Sequence, residues 1–178
     1  QKREKGLSHQ IKMPKIQGPE KLKSDLELRK DLQSKIPKDY LPMWLREREI
    51  ETRQVEPVDL LKAEKLPPYR STWMKPTGKL PTDERIHQAL LLYVSDMGLL
   101  GAAVNPHEVN FMSKKFQSAS LDHVMWFHGK VNFNNWILHH MHSPISQNAR
   151  GFSRGSIYTK SGKLIASTAQ EGLMRIWD

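Results

Sequence analysis

Cysteine is absent from the 178 residues, which excludes disulfides, thiolate metal sites and a cysteine nucleophile, and fits a reducing compartment. Long apolar runs are also missing, since none approaches the ~20 residues needed to span a bilayer. The opening Gln1-Lys2-Arg3-Glu4-Lys5 holds no Met and no apolar signal segment, so the sequence is expected to be a piece of a longer chain. Apolar patterning is thin in residues 1–50 and dense in 86–100 and 119–178. Acidic residues are the minority, 19 against 28 Lys and Arg, for a net charge of +9. The excess divides as +5 in residues 1–50 (13 basic, 8 acidic) and +4 in the remainder (15 basic, 11 acidic). The part able to build a core is only mildly basic. Such a surface attracts phosphates but lacks the dense stripe of a nucleic-acid binder.

Pro14, Pro19, Pro37, Pro42 and Pro57 punctuate the first third and limit helix length there. Residues 20–35 place Leu22, Leu26 and Leu32 at helical spacing, which reads either as a short amphipathic helix or as a solvated connector. The pattern changes at Ile50. Residues 50–57 and 69–76 alternate as strands do. Thr82 then starts a helix, with Asp83 and Glu84 in the first turn, where the helix dipole favours negative charge. Ile86, Ala89, Leu90, Tyr93, Val94 and Met97 form its stripe. Leu91, Leu92, Leu99 and Leu100 widen the stripe until the helix is apolar nearly all round, the pattern of a buried helix. Beyond Asn105-Pro106, strands are predicted at about 119–128, 135–143, 150–160 and 163–175, with a Ser161-Gly162 hairpin turn. A long buried helix followed by antiparallel strands makes an α+β domain of residues 50–178, its sheet curled around the helix.

Within that frame, Asp96 stands one turn from the helix end among Leu92, Met97, Leu99 and Leu100, and is expected to be partly withdrawn from water. Burying a carboxylate costs several kcal/mol unless hydrogen bonds satisfy it, a cost tolerated most readily at a functional site. The plainer reading is an exposed Asp at a fraying helix end. Gln170 raises a similar question, because strand parity puts Leu164, Ala166, Thr168 and Gln170 on one face, with Gly172 permitting close backbone approach. Ser120, ahead of Leu121-Asp122-His123, is read as opening a strand with a structural hydroxyl. Other chemistries fit less well. Gly151-Phe-Ser153-Arg154-Gly155 has the letters of a nucleophile elbow but lies in an apparent strand. His139-His140-Met141-His142 puts His140 and His142 on one face without further ligands at metal-site spacing. Trp126, Phe127, Phe133 and Trp136 near Arg150 and Arg154 resemble a base-stacking platform, yet read better as core or pocket residues.

Four segments in order carry a family resemblance: His87-Gln-Ala-Leu-Leu-Leu-Tyr-Val-Ser-Asp96, Ser120-Leu-Asp-His-Val-Met-Trp-Phe-His128, Ala149-Arg-Gly-Phe-Ser-Arg-Gly155 with Ile157-Tyr158, and Leu164-Ile-Ala-Ser-Thr-Ala-Gln-Glu-Gly172 with Met174-Arg175. Together they resemble the type II acyl-CoA thioesterases. The resemblance implies the second half of a double hotdog, in which an antiparallel sheet wraps a long helix. Residues 1–49 would be the tail of the first hotdog and the linker, and residues 50–178 the thioesterase domain. It further implies hydrolysis of fatty acyl-CoA by a water held by Asp96, Ser120 and Gln170, with no metal or organic cofactor. Acyl-CoA is the implied substrate and the N-terminal hotdog half the implied partner, with a homo-oligomer as the alternative and no nucleic-acid or membrane partner. The fragment alone is expected to be weakly active, or to pair with itself. A peroxisomal location is implied, or else a cytoplasmic one, because the sequence ends Ile176-Trp177-Asp178 without a Ser-Lys-Leu-like tripeptide. The rival reading is a non-catalytic acyl-CoA-binding or scaffolding module.

Overall fold

The computed structural model describes residues 4–59, 61–109 and 111–177. The leading arm holds two short helices, α1 (Asp25–Asp31) and α2 (Leu41–Trp44). A capping box starts α1: Ser24 accepts from the Glu27 N–H while Glu27 accepts from the Ser24 N–H. Instead of the predicted leucine stripe, the buried residue of α1 is Arg29, whose guanidinium reaches Asp25 and the Trp44 and Arg46 carbonyls. Seven strands follow: β1 (Ile50–Gln54), β2 (Tyr69–Pro76), β3 (Phe116–Ser120), β4 (Val124–Phe127), β5 (Ile137–Gln147), β6 (Arg150–Thr159) and β7 (Leu164–Ile176). Between β2 and β3 lie α3 (Glu84–Ser95) and α4 (Leu99–Val104). All strands pair antiparallel in one sheet, β1-β2-β5-β6-β7-β3, with β4 also on β7.

Period-2 alternation sorts the sheet into two faces. Met74, Ile137, Ile157 and Ala166 turn inward onto Leu91 and Val94 of α3, and Met141 meets Leu99 and Ala102 of α4. Trp73, Leu138 and Tyr158 turn outward, where Met13, Ile16 and Leu22 of the arm cover them. Trp73 Nε1 donates to the Gln17 carbonyl (2.9 Å), and Gln10 bridges the β6–β7 turn through Gly162 and Leu164. The result is the hotdog arrangement: a curled antiparallel sheet around a helical rod.

Several expectations are corrected. The helix is capped by Asp83, whose carboxylate accepts from the Arg85 N–H, and it breaks at Gly98, whose left-handed φ of 95° suits glycine. It is not buried all round: Leu92, Tyr93 and Met97 are 41%, 63% and 46% exposed. Spanned across the break, Glu84–Val104 is long and apolar enough to cross a membrane by length and composition, but 50% of its most apolar window is buried, as in a core helix. The strand expected at 119–128 is two strands. Ser120 faces Gly172 and Val124 faces Ala169, so residues 121–123 oppose only 170 and 171. Ser120 therefore closes a strand instead of opening one. A second irregularity falls in β7, where Tyr158 pairs Leu164 but Ile157 pairs Ala166. The extra residue, Ile165, turns Leu164 to the outer cluster and removes it from the face it was expected to share with Gln170.

Candidate active site

Three elements bring the expected residues together. Asp96 follows α3 as its C-cap, Ser120 ends β3, and Gln170 lies on the inner face of β7. Ser120 Oγ donates to Asp96 Oδ1 (3.1 Å), and Gln170 Nε2 donates to the same oxygen. Asp96 Oδ2 has no hydrogen-bond partner among the described residues. Gln170 is 1% exposed, whereas Asp96 and Ser120 lie open on the surface. The expectation that Asp96 is withdrawn from water is thus not met in this chain. Its apolar neighbours Met97, Leu92 and Tyr93 face solvent, as does Leu121 beside Ser120 (53%). The acid sits on an apolar shelf, not in a pocket.

Gly172 explains how the parts approach so closely. A Cβ there would fall 2.5 Å from Leu100 Cδ1, so glycine lets α4 settle on β7 at this point without displacing the Leu100 side chain. The wide loop 121–123 then carries the turn between β3 and β4 past Gln170. It is held by the Leu121 N–H on the Glu171 carbonyl (2.9 Å) and by the Glu171 N–H on Asp122 Oδ1 (2.7 Å). A side chain thus replaces the ladder partner lost at the bulge, the kind of device that re-aims strands near functional sites. The sequence reading missed Asp122. Its signal was two polar residues, Asp122-His123, interrupting an apolar strand run.

A layer of buried polar groups lies behind the shelf. Ser95 Oγ gives its proton to the Leu92 carbonyl (2.8 Å), so His123 Nε2, 2.8 Å away, must donate to it. The His123 Nδ1 is buried without a partner. His139, fully buried, has Nε2 3.2 Å from Thr168 Oγ1, and burial pushes its pKa down to about 3, with His123 and His140 adding repulsion. His140 points the other way, to Ser71 Oγ at 3.0 Å, so adjacent histidines of the triplet serve opposite faces. Among the described residues no group of three His, Asp or Glu could hold a metal ion. Ser153, the serine of the elbow-like letters, is buried mid-strand on the inner face opposite Gln170. Of the aromatic set, Phe133 is core and Trp136 lies under the Arg53 guanidinium (5.1 Å), while Trp126 and Phe127, expected as core or pocket residues, are 51% and 38% exposed and so not core.

Comparison with known proteins identifies the family. The family model for acyl-CoA thioesterase matches residues 44–173. The chain is 35% identical to acyl-CoA thioesterase 2 of Haemophilus influenzae over 97% of its own length and 60% of that protein's. It is 31% identical to acyl-coenzyme A thioesterase 8 of Homo sapiens over 96% of its length and 55% of the relative's. A peroxisomal acyl-coenzyme A thioester hydrolase of Saccharomyces cerevisiae matches 51% of the chain at 34% identity. Among solved structures, the acyl-CoA thioesterase II TesB2 of Mycobacterium marinum superposes with a TM-score of 0.70 at 28% identity, covering 99% of this chain and 60% of that one. A hot dog protein of Alicyclobacillus acidocaldarius (TM-score 0.65, 16% identity, 99% of this chain and 60% of that one) shares the fold. The chain therefore spans little more than half the length of the Haemophilus influenzae and Homo sapiens relatives, and it belongs to the acyl-CoA thioesterase family.

Proposed function

We propose that this chain supplies the water-activating half of an enzyme that hydrolyses fatty acyl-CoA thioesters. The observation that carries the reading is the convergence of an acid, a hydroxyl and a primary amide, 24 and 74 residues from the acid, on one carboxylate oxygen. A water entering among them accepts from the second N–H of Gln170, donates one proton to Asp96 and the other to Ser120 Oγ, whose own proton is on Asp96, and keeps one lone pair free. That geometry aims its lone pair and removes its proton as it attacks the thioester carbonyl. The tetrahedral adduct then expels the CoA thiolate, which takes the proton from Asp96, leaving free acid and thiol. General-base assistance of this kind is worth roughly 10²–10⁴-fold in rate. None of these steps draws on a metal or cofactor.

The open shelf bears on the partner. Exposed Tyr93, Met97 and Leu121 border Asp96 and Ser120, so a second surface is needed to wall in an acyl chain. On this reading that surface is the N-terminal hotdog half of the same protein, or a second copy of this chain standing in for it. The same openness favours the rival, a non-catalytic acyl-CoA-binding module. The peroxisomal thioester hydrolase among the relatives supports a peroxisomal location, with cytoplasm as the alternative. A thiol-release assay on the full-length protein and its Asp96→Asn variant decides between the readings. Release by the parent and a loss of at least ~10²-fold in the variant is expected. No release by the parent supports the binding module, and equal release by both removes Asp96 from the mechanism.

A further inference from the structure

Gln170 and Ser153 are directly opposed across β7 and β6, both on the inner face and each 1% exposed. Gln170 turns its donor end to Asp96, while its Oε1 is buried without a hydrogen-bond partner. Ser153 Oγ is also buried without one. The amide oxygen can only accept and the hydroxyl can donate, so the two orphans are complementary. Directly opposed residues hold their Cβ atoms ~4.5–5.5 Å apart, within reach of a serine χ1 rotation or one bridging water. The neighbouring hydroxyl on the same face, Thr168 Oγ1, is already engaged by His139 Nε2 (3.2 Å), and Gly151, Gly155 and Gly172 offer no side chain.

We propose that Ser153 is a positioning residue that donates to Gln170 Oε1 and so fixes which end of the amide faces Asp96; this rests on the water-activating role proposed above. The need is chemical. A primary amide has nearly the same shape after a half-turn, but the turn exchanges donor for acceptor. Flipped, Gln170 sets its oxygen against the Asp96 carboxylate and offers the attacking water no N–H. Shape alone leaves both orientations open; the exposed Asp96 carboxylate repels the flipped oxygen from one end, and a hydrogen bond to the buried Oε1 holds the productive orientation from the other. Ser153 thereby acts through Gln170 and touches no reacting atom.

The test follows the Gln170 side-chain amide by NMR and turnover by the full-length protein, in the parent, Ser153→Ala and Ser153→Thr. In Ser153→Ala the Gln170 amide protons exchange with solvent roughly tenfold faster, and kcat falls roughly tenfold with KM within about twofold. The Ser153→Thr variant, which keeps the hydroxyl, retains both properties within about threefold. A merely structural serine would lower thermal stability in both variants without dividing kcat from KM. Parental amide exchange and parental kcat in Ser153→Ala overturn the proposal. If Asp96→Asn turns over at the parental rate, the water-activation reading fails, while amide exchange still decides the bond between Ser153 and Gln170.

Discussion

Acid should destabilise this fold through one imidazole. His139 is fully buried on the inner face of β5, against Thr168, where its ring fills the space that a side chain at Gly155 would take. Burial holds its pKa at about 3, well below the ordinary imidazole value of 6.5. Because the folded value lies below the unfolded one, the unfolded chain binds the extra proton between them. The stabilisation is therefore intact above pH ~6.5 and is lost as the pH falls toward ~3. Integrating from pH ~7.5 to ~5 with an unfolded pKa of about 6.5 gives a loss of about 2 kcal/mol. That figure barely depends on how far below pH 5 the folded value lies, since at that pH the folded ring stays neutral either way. For a domain of this size it amounts to about 4–8 °C in Tm.

The assay is urea unfolding at both pH values, on the parent and on His139→Gln, which keeps a donor of similar reach but cannot titrate. The variant carries a fixed penalty at pH ~7.5 from imperfect packing, which cancels in the comparison between pH values. His140, also held down by burial, is present in both proteins and cancels as well. The parent is expected to lose about 2 kcal/mol more than the variant over the interval. Equal losses in the two proteins would refute the assignment, because the acid sensitivity would then arise elsewhere.

Two further substitutions probe the frame of the site. Asp122→Ala removes the acceptor of the Glu171 N–H, so it should cost about 1 kcal/mol in urea unfolding and speed exchange of that amide, whereas Asp122→Asn should recover most of the loss. Ala149 occupies the left-handed region (φ 56°) in the β5–β6 turn beside Asn148 (φ 50°), a geometry that suits Asn-Gly. Ala149→Gly should therefore raise stability by about 1 kcal/mol, seen as a higher Tm, and an unchanged or lower Tm would show the strain to be absorbed elsewhere.

The sheet was legible because alternation is a property of single strands: β2, β5, β6 and β7 fall close to where residues 69–76, 135–143, 150–160 and 163–175 place them. Bulges were not legible. The loop 121–123 and the extra Ile165 each shift parity by one residue; the first is marked only by the polar pair Asp122-His123, and nothing in hydrophobic period announces the second, where the residues on both sides remain apolar. This is why Leu164 was placed on the wrong face while Ala166, Thr168 and Gln170 kept theirs. Asp96, Ser120 and Gln170 were individually weak signals. Family resemblance grouped them, because their meeting depends on the Gly98 break, the Gly172 approach and the Asp122 bulge, none of which has a period.

The misjudged burial of Asp96 has a more instructive cause. Its neighbours are apolar, and in a self-contained domain that would mean a core. Here Leu92, Tyr93 and Met97 lie on the side of the rod turned away from the sheet, so one helix carries two apolar faces with different destinations. A hydrophobic pattern records that a surface will be covered, but not by what. If the covering surface belongs to a second hotdog, as proposed, the carboxylate leaves water only on assembly. Fusing or adding that partner should then raise the rate of thiol release by this chain, and an unchanged rate on assembly would count against the proposed cover.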